Sequence, residues 1–385
     1  MQAVILAAGE GRRIRPLTKG RPKALIPVAN RPIIDYPIQA LLECGIREIV
    51  VVVGYRKEQV IRHLNTLDFP VDIVIQEKQL GTAHALKCAE DVLKEQFLVI
   101  PGDNYIDSAS LGKILDEPSS MLVKTHPYPS NFGVVVIRDG FIESIVEKPE
   151  HAPSFTISTG IFSLTSDFFT YLHGNDITDA ISEMLRCGMK IRAIMAEDWQ
   201  DAIYPWDLLA MNERLIEKMQ PKKSGILEKS VVIQGNVEIG KDTHIGPNSV
   251  IQGPVVIGEE CEIGPYSCIG PYTSIGSRVT VDPFTCIEDS VIMDDVAIGA
   301  YSRVIKSVLG EGVVLRDHNS TSVASHLMEI EGNPIKGKFG AIIGNEASCG
   351  PFTAIDGAII GNNATIGGGR KISSTLAYDD DITVI

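Results

Sequence analysis

Hydrophobic positions follow two different periods along the chain, and the change falls near residue 220. In the first half, unbroken apolar runs at Val4-Ile5-Leu6, Ile49 to Val53, Ile73-Val74-Ile75 and Phe97 to Ile100 alternate with amphipathic stretches at Ile33 to Cys44, Glu58 to Leu64 and Ala83 to Leu93. Strands without in/out alternation are buried on both faces, so this pattern predicts a parallel sheet covered by helices on each side. Asp139-Gly140, between Val134 to Ile137 and Phe141 to Val146, adds a hairpin. A last helical pattern, Leu208 to Met219, runs into the polar stretch Pro221 to Gly225, which marks the expected domain boundary.

Beyond it the period becomes six. Ile239, Ile245, Ile251, Ile257, Ile263, Ile269, Ile275, Val281 and Ile287 recur without a miss, and glycine follows at 240, 246, 258, 264, 270 and 276. The frame slips by one residue to Ile292, Ile298 and Val304, then resumes at Leu309 and Leu315, at Ile343, Cys349 and Ile355, and at Ile360, Ile366 and Ile372. No α-helix has this period, but three six-residue sides close one turn of a triangular β-coil with the aliphatic residue inside. The expected fold is therefore α/β: a Rossmann-like mixed sheet with helices on both faces over residues 1–220, then a parallel β-helix over 226–385. An irregular inserted loop is expected at 316–340, where the repeat lapses.

Charge and cysteine usage narrow the function. A net charge of -14 argues against a partner as anionic as nucleic acid or a membrane surface. Seven cysteines without a CxxC read as reduced thiols in a cytoplasmic protein. Met1 to Gly9 reads as a strand rather than a signal peptide, and no apolar stretch approaches the roughly 20 residues that span a bilayer.

Against that acidic background, residues 12 to 23 hold Arg12, Arg13, Arg15, Lys19, Arg21 and Lys23 with no acid among them. They follow the first strand directly, through Leu6-Ala7-Ala8-Gly9-Glu10-Gly11. Glycine at 9 and 11 lets backbone N–H groups approach phosphate oxygens closely. A dinucleotide-binding turn would want glycine where Ile14 stands, and no G-x-x-x-x-G-K-[ST] loop occurs. Pro101-Gly102-Asp103-Asn104 ends a strand, where ligands of an open parallel sheet collect, although Asp103 also suits the cap of a following helix. Asp207, directly before Leu208 to Met219, is equally suited to capping. No nucleophile–base motif occurs.

The loop from Leu6 to Lys23 closely resembles the signature of sugar-1-phosphate nucleotidylyltransferases, and the six-residue repeat resembles the left-handed β-helix that follows it in two-domain members of that group. The resemblance implies transfer of a nucleoside monophosphate from UTP or dTTP to a hexose-1-phosphate, with pyrophosphate leaving. It implies charge-neutralising roles for Arg13 and Lys23, and nucleotide contacts from Leu6, Ala8, Gly9, Gly11, Gln76, Gly81 and Thr82. Gln76 has both a donor and an acceptor to offer a pyrimidine edge. The sugar phosphate would meet Gly133, Glu147, Lys148, Ser158 and Thr159, with Ser158 standing where many relatives have asparagine. Mg²⁺ would be held by Asp103 and Asp207. The β-helix implies a homotrimer, for which Tyr266, Tyr272, Phe284 and Tyr301 lie at non-inward positions. Some relatives also acetylate an amino-sugar phosphate with acetyl-CoA. His318, His326 and the Lys336 to Gly344 segment are the material for that activity, but no histidine here has a tyrosine at the spacing found in those relatives. The other readings are a partner-binding subunit with a dead site, which would have lost Arg13 and Lys23, and a guanylyl- or adenylyltransferase.

Overall fold

Val4, Ile5, Val50 to Val53 and Phe97 to Ile100 are wholly buried, as runs sandwiched between helices must be. They belong to a computed structural model that describes all residues except 331–332, 374–379 and 385. The chain folds into two compact units. One is Met1–Glu10, Arg21–Leu25 and Ile33–Asp201; the other is Gly11–Gly20, Ile26–Pro32 and Ala202–Ile385. By their contacts Gly11–Gly20, Ile26–Pro32 and the helix Asp207–Ile216 group with the repeat.

The first unit is built on a nine-stranded mixed sheet. Its order is Asp72–Ile75, Ile49–Val53, Gln2–Ala7, Gln96–Pro101, Thr156–Thr165, Ser120–Thr125, Arg192–Met195, Phe141–Glu147, Gly133–Arg138. The first four strands are parallel, and Thr156–Thr165 runs against Gln96–Pro101. Alternate residues of one strand serve opposite cores. Ile5, Val51 and Ile100 pack with Ile38, Leu41, Val60 and Leu111, while Val4, Val52 and Val99 pack with Ala83, Leu86, Ile181 and Met184. From Gln2–Ala7 the chain builds first to one side and then returns to the other, so the crevice for a ligand lies at that strand's carboxyl end. Among the described residues no helix is long and apolar enough to cross a membrane.

In the second unit the inward residues stack coil upon coil. Ile239 pairs with Ile257, Ile257 with Ile275, and Ile245 with Ile263, all buried in one continuous core. Three long parallel sheets result, the arrangement expected of the left-handed β-helix. A side chain at Gly240 would meet the Gly258 carbonyl oxygen at 2.3 Å, so the close corner demands glycine there. The slip in the repeat is absorbed by pairing Ile275 directly with Ile292.

The segment 316–340 is not an irregular loop. Residues as far as Ser322 still form coil, with Thr321 inward, pairing with Ile355 and donating to the Ile305 carbonyl at 3.0 Å. The excursion itself is an antiparallel hairpin, Ala324–Ile330 against Asn333–Phe339, with residues 331–332 outside the described residues. A buried hydrophilic threonine hid the coil from the aliphatic pattern. Phe339 is wholly buried and stacks on Trp206, their centroids 5.4 Å apart. Asn212, on the helix Asp207–Ile216, donates to the Tyr272 carbonyl and accepts from Ala29 N, both at 2.9 Å.

Tyr266, Phe284, Tyr301, His318 and Phe352 share one corner, each with φ near +60°. Their rings form a ladder with centroid spacings of 5.2, 4.9, 5.1 and 4.5 Å. A left-handed backbone costs a side-chain-bearing residue about 1–2 kcal/mol, which stacking of about 0.5–1.5 kcal/mol per pair offsets. Tyr272 stands apart from the ladder, half-buried.

Candidate active site

Backbone bonds gather the expected nucleotide residues at the carboxyl ends of the parallel strands. Gly102 N donates to the Leu6 carbonyl, Tyr55 N to the Ala8 carbonyl, and Gln76 N to the Val53 carbonyl, at 2.8 to 2.9 Å. Gly9 is exposed beside them. At Gly81 φ is +111° and a Cβ would lie 2.3 Å from the Asn175 carbonyl oxygen, so no other residue fits this helix entry. Thr82 then caps across the turn, its Oγ1 accepting from Ile177 N at 3.2 Å.

Gln76 differs from its expected use. Its amide nitrogen already serves the Gly81 carbonyl at 3.1 Å and His84 Nδ1 at 2.9 Å, which leaves the Oε1 acceptor to offer a base. His84 thus holds the amide in one orientation.

The sugar-side residues fall into two groups. Glu147 pairs with Gly133 across adjacent strands, and a Cβ at Gly133 would sit 3.2 Å from Glu147 Oε2. Lys148 Nζ lies 3.0 Å from Glu147 Oε1, and its backbone N donates to the Phe132 carbonyl at 3.0 Å. Elsewhere, Ser158 Oγ accepts from Gly160 N at 3.1 Å, and Thr159 Oγ1 donates to the Leu122 carbonyl at 2.8 Å. Asn104 joins this group through its amide, which donates to the Thr159 carbonyl at 3.3 Å.

Lys23 is buried, with its ammonium 2.8 Å from Asp103 Oδ2 and 2.9 Å from Asp201 Oδ1. Burial disfavours the charged form, but the two carboxylates outweigh it and hold the Lys23 pKa above the ordinary lysine value. Asp201 arrives by strand pairing: Trp199–Asp201 runs antiparallel to Asn104–Ile106, with Asp201 opposite Asn104. The helix Ser108–Leu115 is capped by Asp107, which accepts from Ser110 N at 3.3 Å, so Asp103 is released from that duty. Asp207 is differently occupied. Its Oδ2 accepts from Ile203 N at 2.9 Å and Tyr204 N at 2.8 Å, closing the turn that opens its helix. The carboxylate that the structure sets beside Asp103 through Lys23 is Asp201. The signal for it was a strand-like Trp199-Gln200-Asp201 with the acid at its end.

The remaining loop residues lie in the second unit. Gly11 takes φ +72° and opens a short 3-10 turn, Arg12–Ile14, whose Arg13 is half-buried. Thr18 Oγ1 closes the loop by donating to the Gly11 carbonyl at 2.9 Å.

The donor set around Lys23 suits a divalent cation. Two carboxylates share one cationic neighbour, and Asn104, which follows Asp103 in the chain, has a buried Oδ1 with no hydrogen-bond partner among the described residues. Magnesium is commonly held by one or two carboxylates completed by substrate phosphates, so the residues fit it.

A lysine between two carboxylates in an α/β unit and a β-helix beyond it suit a nucleotidyl-transferring enzyme. The family model described as Nucleotidyl transferase matches residues 2–218, and one described as GMPPB C-terminal domain matches 251–327. The chain belongs to the nucleotidyl transferase family. It is similar to a Bifunctional protein GlmU from Methanococcus maripaludis strain C7, 37% identical over 99% of this chain and 95% of that one. The UTP--glucose-1-phosphate uridylyltransferase AglF of Haloferax volcanii is 36% identical over 57% of this chain and 98% of its own length. A solved structure of a UDP-glucose pyrophosphorylase from Acinetobacter baumanii shares the fold, with a TM-score of 0.50 at 24% identity over 56% of this chain and 94% of that one.

Proposed function

We propose that the chain transfers a nucleoside monophosphate from UTP or dTTP to a hexose-1-phosphate, either glucose-1-phosphate or N-acetylglucosamine-1-phosphate, and releases pyrophosphate. The observation that carries this reading is the Lys23 ammonium held between Asp103 and Asp201 at the sheet's ligand-binding edge. Attack by a sugar-phosphate oxygen on the α-phosphorus needs no covalent enzyme intermediate, but it brings two polyanions together. The enzyme's part is therefore positioning and charge neutralisation. Arg13 and Lys23 neutralise the triphosphate; Gln76 Oε1 accepts from the pyrimidine; Gly133, Glu147, Lys148, Ser158 and Thr159 orient the sugar phosphate. Asp103 and Asp201 would hold Mg²⁺, which supplies further neutralisation of phosphate charge when bound. Asp207, whose Oδ2 accepts from its own turn, remains the other carboxylate that the family resemblance implies for the metal.

The exposed aromatic ladder supports a homotrimer as the assembly, since aromatic side chains are enriched at subunit contacts. A second reading, acetylation of an amino-sugar-1-phosphate by acetyl-CoA, draws support from the near full-length likeness to proteins named bifunctional. The hairpin also places His326 opposite Gly337, between Lys336 and Lys338. Pyrophosphate release measured with each triphosphate against both sugar phosphates tests the main reading. No release above background with either UTP or dTTP would overturn it. Thiol release from acetyl-CoA with glucosamine-1-phosphate tests the second.

A further inference from the structure

The basic loop that follows the central strand is held by residues more than 340 positions further along the chain, in the last coils of the β-helix. Asn362 Nδ2 donates to the Pro16 carbonyl at 3.0 Å and to Asp380 Oδ1 at 3.0 Å. The same Asp380 oxygen accepts from Asn362 N at 2.7 Å, and Asn362 Oδ1 accepts from Asn345 N at 2.8 Å. Asn362 is therefore locked in place by its own coil and its neighbours before it reaches Pro16. The other Asp380 oxygen pairs with Lys19 Nζ. Loop and coils belong to one compact unit, and within the loop Leu17 and Thr18 are buried.

These contacts add up to a frame. Thr18 Oγ1 ties the end of the loop to the Gly11 carbonyl, so Arg12 to Leu17 form a closed arc. Asn362 grips that arc at Pro16, and Asp380 grips the chain just past it at Lys19. Arg13 stands on the arc. A guanidinium that must meet a phosphate gains little from its charge if its backbone wanders, because supporting residues have to hold such groups to about 0.5 Å. The two grips are not equal. Asn362 is buried, whereas Lys19 keeps 56% of its side-chain exposure and its ion pair is screened by water. Of these two contacts, that of Asn362 is the firmer and that of Asp380 supports it.

We propose that Asn362 and Asp380 are positioning residues for the nucleotide loop, so that the last coils of the β-helix take part in binding the triphosphate. This inference rests on the reading of Arg13 as a triphosphate contact. It gives the β-helix a duty in the first reaction that is independent of any acetyl transfer, and it predicts that damage to the final coils is felt as lost nucleotide affinity.

The test uses the full chain with Asn362→Ala and Asp380→Asn. Asn362→Ala is expected to raise KM for UTP or dTTP at least tenfold and to leave KM for glucose-1-phosphate within twofold. It is also expected to speed amide exchange across residues 11 to 20. Asp380→Asn should do the same to a smaller extent, at least threefold in triphosphate KM, and Asp380→Glu, which keeps the ion pair, should remain near wild type. A purely structural anchor would lower the melting temperature without this split between the two KM values. Triphosphate KM within twofold of wild type, with unchanged exchange at a temperature where the variant is folded, overturns the proposal. Should Asn362→Ala fail to fold, Asp380→Asn carries both readouts. An inactive wild-type enzyme would count against the proposed reaction alone. The exchange of residues 11 to 20 would still decide the anchor.

Discussion

Replacing Lys23 by methionine separates the two roles given to the Lys23–Asp103–Asp201 cluster. Methionine keeps much of the side-chain volume but removes the charge. In the native cluster one ammonium lies 2.8 and 2.9 Å from two carboxylates. At an effective dielectric constant of about 20 each contact is worth roughly 6 kcal/mol before desolvation. Burying the ammonium returns most of that, and breaking a buried ion pair from one side costs about 3–5 kcal/mol. Asp103 and Asp201 retain 37% and 22% of their side-chain exposure, so water screens the repulsion left behind. A loss of about 2–3 kcal/mol is expected after that discount. The vacated position, flanked by two carboxylates, should then attract a divalent cation more strongly than the native site does. At a hundredfold excess over its Kd such a cation restores about 2.7 kcal/mol. Turnover should still fall by about 10² or more, because triphosphate charge has lost its neutralising group. Chemical denaturation with MgCl₂ and with a chelator reads the first effect, and pyrophosphate release reads the second. The reasoning is refuted if Lys23→Met responds to magnesium no more than wild type does, or if the response survives a further Asp201→Asn.

Two other expectations concern the β-helix. Phe284→Ala removes two stacking contacts and should cost about 1–3 kcal/mol, whereas Phe284→Gly should cost about 0.5–1 kcal/mol less because φ at this corner is +62°. Thermal melts that rank alanine above glycine would refute the strain argument. Protonated His244 donates through Nε2 to Glu228 Oε1 at 3.1 Å, and its Nδ1 lies 3.3 Å from Glu262 Oε2. The hydrogen bond to Glu228, ahead of the charge of Glu262, raises its pKa from the ordinary value of 6.5. The sign follows from linkage: its stabilisation is full below the unfolded pKa of about 6.5 and is lost as pH rises through the raised folded value. His244→Gln should flatten the decline in melting temperature as pH rises from about 6.5, and an unchanged profile would exclude this ion pair as its source.

The β-helix was legible residue by residue because its rule is local. Each six-residue side places one aliphatic residue inward, and the register that pairs Ile239 with Ile257 is already written in their spacing. The central strands were legible for the same reason: burial on both faces leaves Ile49 to Val53 with no polar position. Where a contact joins residues far apart, spacing carries no such information. The cation cluster takes Lys23 from one segment, Asp103 from a strand end and Asp201 from a short strand pairing with Asn104–Ile106. Two aspartates six residues apart look alike in the sequence, and only tertiary structure turns Asp207 onto the backbone of its own turn and Asp201 onto Lys23. The coil side that runs to Ser322 was hidden because polar Thr321 fills an inward position through hydrogen bonds rather than by apolarity. The grip of Asn362 on Pro16 had no signal at all, since a buried polar side chain reveals its partner only once the chain has folded around it. Local periodicity determined the elements and their stacking; long-range pairing of polar groups determined the site.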